Sequence, residues 1–110
     1  MKKFIEEFNA MSCEVYKNAK GHGWWEEERN NGELIALMHS ELSEALEALR
    51  ANNAPDDKIP EFLGVEAELA DVVIRIMDVA AARGWRVAEA IVAKHEVNKK
   101  RPYKHGGKKF

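Results

Sequence analysis

Residues 34–49 read LIALMHSELSEALEAL, and this stretch decides the fold class. On a helix that turns about 100° per residue, its apolar side chains fall within one arc of about 180°. The members of this stripe are Leu34, Leu37, Met38, Leu42, Ala45, Leu46 and Leu49. Glu41 lies inside the arc and Glu44 at its edge, although a carboxylate is costly to desolvate. The stretch therefore predicts an amphipathic helix that turns two acidic groups toward a core.

A second acidic pair with the same spacing, Glu68 and Asp71, follows further along the chain. It borders another apolar stripe, made of Val65, Leu69, Val72, Val73, Ile76, Met77 and Ala80. A single such pair is usually solvated and helped by a local ion pair, here Asp71 with Arg75. Two pairs on consecutive, antiparallel helices would bring four carboxylates together, where they repel one another. A divalent cation would relieve that repulsion, so the pattern predicts a magnesium site and phosphate chemistry.

The rest of the pattern predicts helices at about residues 2–19, 32–50, 60 or 61–83 and 86–99, with no strand. Turn residues separate them at 21–23 and 52–57. Pro60 suits the first turn of the third helix and Gly84 its C-terminal cap. We expect one all-α domain over residues 1–110, a small four-helix bundle-like fold, with a basic flexible tail from about 102 to 110. Much of the apolar content is alanine, so oligomerisation to a homodimer or homotetramer is expected to complete the core.

Composition excludes several classes of protein. The 110 residues contain no apolar run of the roughly 18–20 residues that span a bilayer, and the N-terminus lacks the pattern of a secretory signal. Cys13, the single cysteine, fits a reducing cytoplasm and is expected to be a small buried side chain. From Lys94 onward, seven basic residues face one acidic residue, a balance of +6 that leaves −8 for the rest of the chain. The lack of a spanning run argues against a membrane, and the acidic body argues against a stable nucleic-acid partner.

Two motifs together carry a resemblance to a known family. Glu-x-x-Glu, followed after 23 residues by Glu-x-x-Asp, resembles the signature of the MazG-like nucleotide pyrophosphohydrolases. Residues 94–102, KHEVNKKRP, and 105–108, HGGK, are similar to the ending of its short single-domain members. The resemblance covers about residues 24–110. It implies an all-α, magnesium-dependent hydrolase that cleaves nucleoside triphosphates between the α and β phosphates, in house-cleaning of the nucleotide pool.

The resemblance also implies roles for particular residues. Glu41, Glu44, Glu68 and Asp71 would hold Mg²⁺, with Mn²⁺ able to substitute. Attack on a phosphoanhydride needs a water that loses a proton, and Glu41 or Glu44 is expected to accept it. Glu41 is expected to be the most desolvated of the four, but the sequence leaves the choice of base open.

Further residues would hold the substrate. Lys94 and Asn98 match the family's Lys and Asn on the last helix, which contact phosphate or order the metal shell, and Arg101 would add a charge clamp. Lys94 and Asn98 lie four residues apart, so one face of the helix presents both side chains. The candidates for contact with the base are Trp24, Trp25 and His39.

Other interpretations remain open. A phosphoribosyl-ATP pyrophosphohydrolase-like enzyme would share the acidic motif. A di-iron bundle would need Glu-x-x-His repeats, which the chain lacks. A non-enzymatic helical binding or regulatory bundle, with a basic tail that touches nucleic acid, belongs to a different class. Release of pyrophosphate from a panel of nucleotides separates the enzymes from the binding module.

Overall fold

The computed structural model describes residues 1–102, and within them the predicted all-α fold is confirmed. Four helices follow one another: α1 (Lys2–Gly21), α2 (Asn31–Arg50), α3 (Gly64–Arg83) and α4 (Val87–Lys99). The predicted basic tail from about residue 102 lies almost wholly outside the described residues. Within residues 1–102, no helix combines the length and the apolar character needed to cross a membrane.

The ends of α2 and α3 follow capping chemistry that the sequence encodes. The Asn30 side chain accepts a hydrogen bond from the Glu33 N–H at 2.9 Å, which caps α2. At the other end of the hairpin, Asn53 Oδ1 accepts from the Val65 N–H at 2.8 Å and ties the loop to the first turn of α3. Gly84 ends α3 in the left-handed conformation, with φ of +70°, as predicted for its C-terminal cap.

The start of α3 was predicted too early. Pro60 and Glu61 lie in the turn before the helix, which begins at Gly64. Asp56 Oδ2 accepts from the N–H groups of Lys58 and Ile59 at 2.9 and 3.1 Å, which holds this segment in a turn. The Glu66 side chain then caps the helix by accepting from the Leu63 N–H at 2.9 Å.

Helix α3 lies at the centre of the packing, with α2 and α1 against it, while α4 packs chiefly on α1. The buried apolar side chains are small: Leu34 is accompanied by Val79 and by alanines, namely Ala45, Ala67, Ala80 and Ala88. The Cα radius of gyration is 16.3 Å, against about 13 Å for a compact domain of this length. The described chain is therefore elongated, with extents of 45 × 37 × 28 Å, and its buried apolar side chains are small.

Many large apolar side chains lie on the surface. On α2 and α3 the exposed set is Ile35, Leu42, Leu46, Leu49, Leu69, Val73 and Ile74. These include several members of the two predicted stripes, which this single chain leaves uncovered. Cys13 is also exposed, so the expectation that it is buried was wrong. Its neighbour in the chain, Ser12, is the residue of α1 that is buried.

Candidate functional site

Helices α2 and α3 bring three of the four predicted metal ligands together. Each of Glu41, Glu44 and Glu68 offers a carboxylate oxygen, and these oxygens all lie within 4.8 Å of one another. The Glu-x-x-Glu spacing puts the first two on neighbouring turns of α2, and α3 supplies the third from the opposite side of the hairpin. Carboxylate oxygens at this separation can share one hard divalent cation.

Glu68 has the least favourable electrostatic surroundings of these carboxylates. Its Oε2 atom is shut off from solvent and has no hydrogen-bond partner among the described residues. Burial raises the pKa of Glu68, and the adjacent carboxyl group of Glu44 and the negative charges of Asp71 and Glu41 raise it further. An orphaned buried oxygen among like charges has the properties expected of a cation ligand.

Glu41 is partly neutralised by an arginine from the neighbouring helix. Arg75 Nε donates to Glu41 Oε1 at 3.1 Å, and the Glu41 side chain is 17% exposed. Arg75 therefore pairs across from α3 to α2, and not with Asp71, its local partner in the alternative of merely solvated acids. Glu41 does lie inward, as the helical angles predicted.

Asp71, the fourth predicted ligand, is exposed and lies outside the close group of three. It lines both of the clefts that flank the acidic group. The first cleft has a volume of about 530 Å³ and is lined in part by the C-terminal half of α1 and the α1–α2 loop. The second has about 520 Å³ and is bordered by the α2–α3 loop. Volumes of this size suit a small organic ligand.

The predicted base-contact residues fall in three different settings. Trp24 lines the first cleft, and two guanidinium groups lie over its ring, Arg29 at 3.8 Å and Arg75 at 4.4 Å from the ring centroid. Trp25 donates from Nε1 to Asp78 Oδ1 at 2.9 Å and packs against Tyr16, with ring centroids 6.1 Å apart. His39 is exposed on α2 and lines neither cleft.

The predicted phosphate-binding residues lie elsewhere on the chain. Lys94 and Asn98 share one face of α4, as their spacing predicted, and line a shallow groove with Val87, Ala90 and Ile91. Arg101 follows the helix and donates its backbone N–H to Asn98 O at 3.2 Å. None of the three lines the clefts beside the acidic group, which come from α1, α2, α3 and their loops.

Three residues that line these clefts were not predicted from the sequence. Lys58 lines the second cleft beside Glu44 and Glu68, in a loop with no periodic pattern to mark it. Arg29 contacts Trp24 through a loop conformation that spacing does not encode. Asp78 is buried, with 5% exposure, and lines the first cleft. Its position seven residues after Asp71, on the same side of α3, was the available signal.

Asp78 is a second carboxyl group whose pKa is raised. Burial raises its pKa, while the hydrogen bond from Trp25 and the positive charge of Arg75 act in the opposite direction. The first cleft thus has an acidic end at Glu41 and Asp71 and a second, enclosed acid at Asp78.

Comparison of the chain with protein-family models, with curated proteins and with solved structures finds no match.

Proposed function

We propose that this protein is a magnesium-dependent nucleoside triphosphate pyrophosphohydrolase of the MazG-like kind, which releases a nucleoside monophosphate and pyrophosphate. The observation that carries the proposal is the group of three carboxylates within 4.8 Å, one of which has a buried oxygen without a partner. The sequence resemblance gives the reaction class, and the flanking clefts give room for a nucleotide.

The donor set fits Mg²⁺, with Mn²⁺ as a substitute. All three groups offer hard oxygen atoms, and Glu41, Glu44 and Glu68 would hold the ion, with Asp71 at the border of both clefts. When bound, the ion would neutralise phosphate charge and make water more acidic. The unpartnered Glu68 Oε2 is the structural feature that this fit would satisfy.

Glu44 is the better proton acceptor of the two glutamates named from the sequence. Glu41 Oε1 already accepts a hydrogen bond from Arg75 Nε, so fewer lone pairs of Glu41 are left to accept a proton from water. Glu44 is exposed to the cleft that Lys58 also lines. Glu44 would take the proton of the attacking water, while Lys58 would offset charge on the departing pyrophosphate.

Lys94, Asn98 and Arg101 would serve the site only if α4 of a second copy reached it. The exposed apolar side chains of α2 and α3 offer a surface for such a copy, so a homodimer or homotetramer belongs to the proposal. Residues 94 and 98 share their groove with apolar side chains, which is consistent with α4 packing against another chain.

The test is a panel of nucleoside triphosphates with Mg²⁺, scored by chromatography for monophosphate and pyrophosphate. We expect both products in equal amounts and loss of turnover in Glu44→Gln. Glu47→Gln is the matched control, because Glu47 is an exposed glutamate on the same helix with its own partner, Arg50. Release of orthophosphate instead of pyrophosphate would contradict the proposed bond cleavage.

Two further arms address the other interpretations. Phosphoribosyl-ATP is included in the panel, and turnover of that compound alone would replace the proposed substrate class. No turnover of any nucleotide, together with salt-sensitive binding of DNA, would show a binding module instead of an enzyme. These outcomes are separable because each is scored on a different product or complex.

A further inference from the structure

The first cleft contains polar groups at two levels along α3. Asp71, Arg75 and Asp78 are spaced by four and three residues, so all three project from one side of the helix. Asp78 lies seven residues beyond Asp71, a rise of about 10 Å along the helix axis. A nucleoside whose phosphate lies at the acidic group would place the edge of its base at a comparable distance. The cleft therefore has a position for a base near Asp78.

Asp78 is a hydrogen-bond acceptor with capacity to spare. Its carboxylate has two oxygens, and the Trp25 indole N–H, at 2.9 Å from Oδ1, is the donor that the structure gives it. Arg75 acts on Asp78 through its charge, but its Nε hydrogen bond goes to Glu41. A side chain that is 5% exposed and lines a cavity gains much from one more donor, because a buried carboxylate is costly unless its oxygens are satisfied.

We propose that Asp78 selects the base of the substrate by accepting a hydrogen bond from the exocyclic amino group of cytosine or adenine. The inference rests on the proposed function, since the phosphates fix which end of the nucleotide enters the cleft. An ionised carboxylate accepts and cannot donate, so a base with a carbonyl at that position would set two acceptors against each other. The two-donor edge of guanine would need both oxygens, and Trp25 already occupies Oδ1.

Two matched pairs of substrates test the inference: dCTP against dUTP, and dATP against dITP. In each pair the first member has an exocyclic amino group where the second has a carbonyl oxygen beside a ring N–H. We expect the amino member to have the higher kcat/KM by about 10- to 100-fold, the range for one hydrogen bond to a charged group. Equal values for both members in the wild-type protein would overturn the inference.

Asp78→Asn is the decisive variant. Asparagine has nearly the same shape and keeps an oxygen for the Trp25 N–H, while it presents an NH₂ donor to the cleft. We expect the amino preference to disappear or reverse, because the carbonyl member now finds a donor. A uniform loss of activity toward all four substrates, with the preference unchanged, would mean that Asp78 only supports the fold.

Trp25→Phe separates reading of the base from support of the indole. This variant removes the N–H donor to Asp78 and leaves the carboxylate in place, so the amino preference is expected to persist. If the preference is lost as fully in Trp25→Phe as in Asp78→Asn, the discrimination belongs to Trp25 and the inference is wrong. Circular dichroism of each variant confirms that the helices are retained.

Binding of dCMP and dUMP, measured by calorimetry, distinguishes failure of the inference from failure of the proposed function. Tighter binding of dCMP that disappears in Asp78→Asn supports the inference even if no triphosphate is hydrolysed. Hydrolysis without an amino preference, and equal binding of the two monophosphates, overturns the inference and leaves the proposed function intact.

Discussion

Replacement of Glu68 by glutamine is expected to stabilise the metal-free protein. Glu68 lies within 4.8 Å of two other carboxylates, and its pKa is raised by burial and by their charge. At that distance two like charges repel by about 1 kcal/mol in a water-like medium and about 3.5 kcal/mol at an effective dielectric constant of 20. Arg75 offsets Glu41, and the clefts admit solvent, so the lower part of this range applies. We expect Glu68→Gln to raise the free energy of unfolding by about 1 to 2 kcal/mol at neutral pH.

The assay is urea denaturation in EDTA and again in Mg²⁺. A ligand at 100 times its dissociation constant stabilises the folded state by about 2.7 kcal/mol. We expect the wild-type protein to gain stability in Mg²⁺ and Glu68→Gln to gain much less, so the order of the two proteins reverses. Glu47→Gln, which removes an exposed charge on α2, should stay within about 0.5 kcal/mol of wild type in both conditions. A Glu68→Gln protein that is less stable than wild type in EDTA would refute the reasoning from repulsion, and an equal response of both proteins to Mg²⁺ would refute Glu68 as a ligand.

Three further predictions concern pH, backbone and assembly. Folding raises the pKa values of Glu68 and Asp78, so above about pH 4 these two carboxyl groups hold more protons in the folded state than in the unfolded chain. The metal-free protein should therefore lose stability as the pH rises from there through the raised pKa values. Denaturation at several pH values checks this, and a stability that increases over that range in wild type but not in Glu68→Gln would contradict it. Gly84→Ala should cost about 1 kcal/mol, because φ is +70° and a Cβ there meets nothing within 4 Å, leaving only backbone strain; unchanged unfolding would contradict it. Leu46→Glu should lower the molar mass in light scattering without loss of helix, since Leu46 is 50% exposed on one chain; a wild-type protein that is already monomeric at high concentration would contradict it.

Helical periodicity predicted much of this fold because each helix has a local cause. The left-handed Gly84 that ends α3 was predicted because glycine is the residue that favours this backbone conformation. The Asn30 cap of α2 was not predicted, although asparagine is a preferred N-cap residue. The start of α3 was predicted too early because Pro60 is typical of a first helical turn. In the structure Asp56 holds the segment before it in a turn, and Glu66 caps the helix at Leu63. Spacing alone does not show whether the helix begins at Pro60 or at the cap formed by Leu63 and Glu66.

The acidic group could be predicted in part for the same reason. Helical angles placed Glu41 and Glu44 on one side of α2, and Glu68 on the corresponding side of α3. Helical spacing shows Asp71 as a local neighbour of Arg75, but it does not show that the Arg75 side chain reaches Glu41 on the other helix. Asp78 was not predicted because its burial depends on how α1 and the α1–α2 loop pack against α3. Helical spacing does not show that packing.

The contacts of Arg75 give the protein an optical signal of its own. The same guanidinium binds Glu41 and lies over the Trp24 ring, so any ligand that draws Glu41 away changes the surroundings of an indole. Emission from tryptophan responds to a nearby cation, and Trp24 and Trp85 differ in that only Trp24 lines the first cleft. A variant that keeps Trp24 and carries phenylalanine at positions 25 and 85 would therefore record occupation of the acidic group by fluorescence, without a label and without turnover.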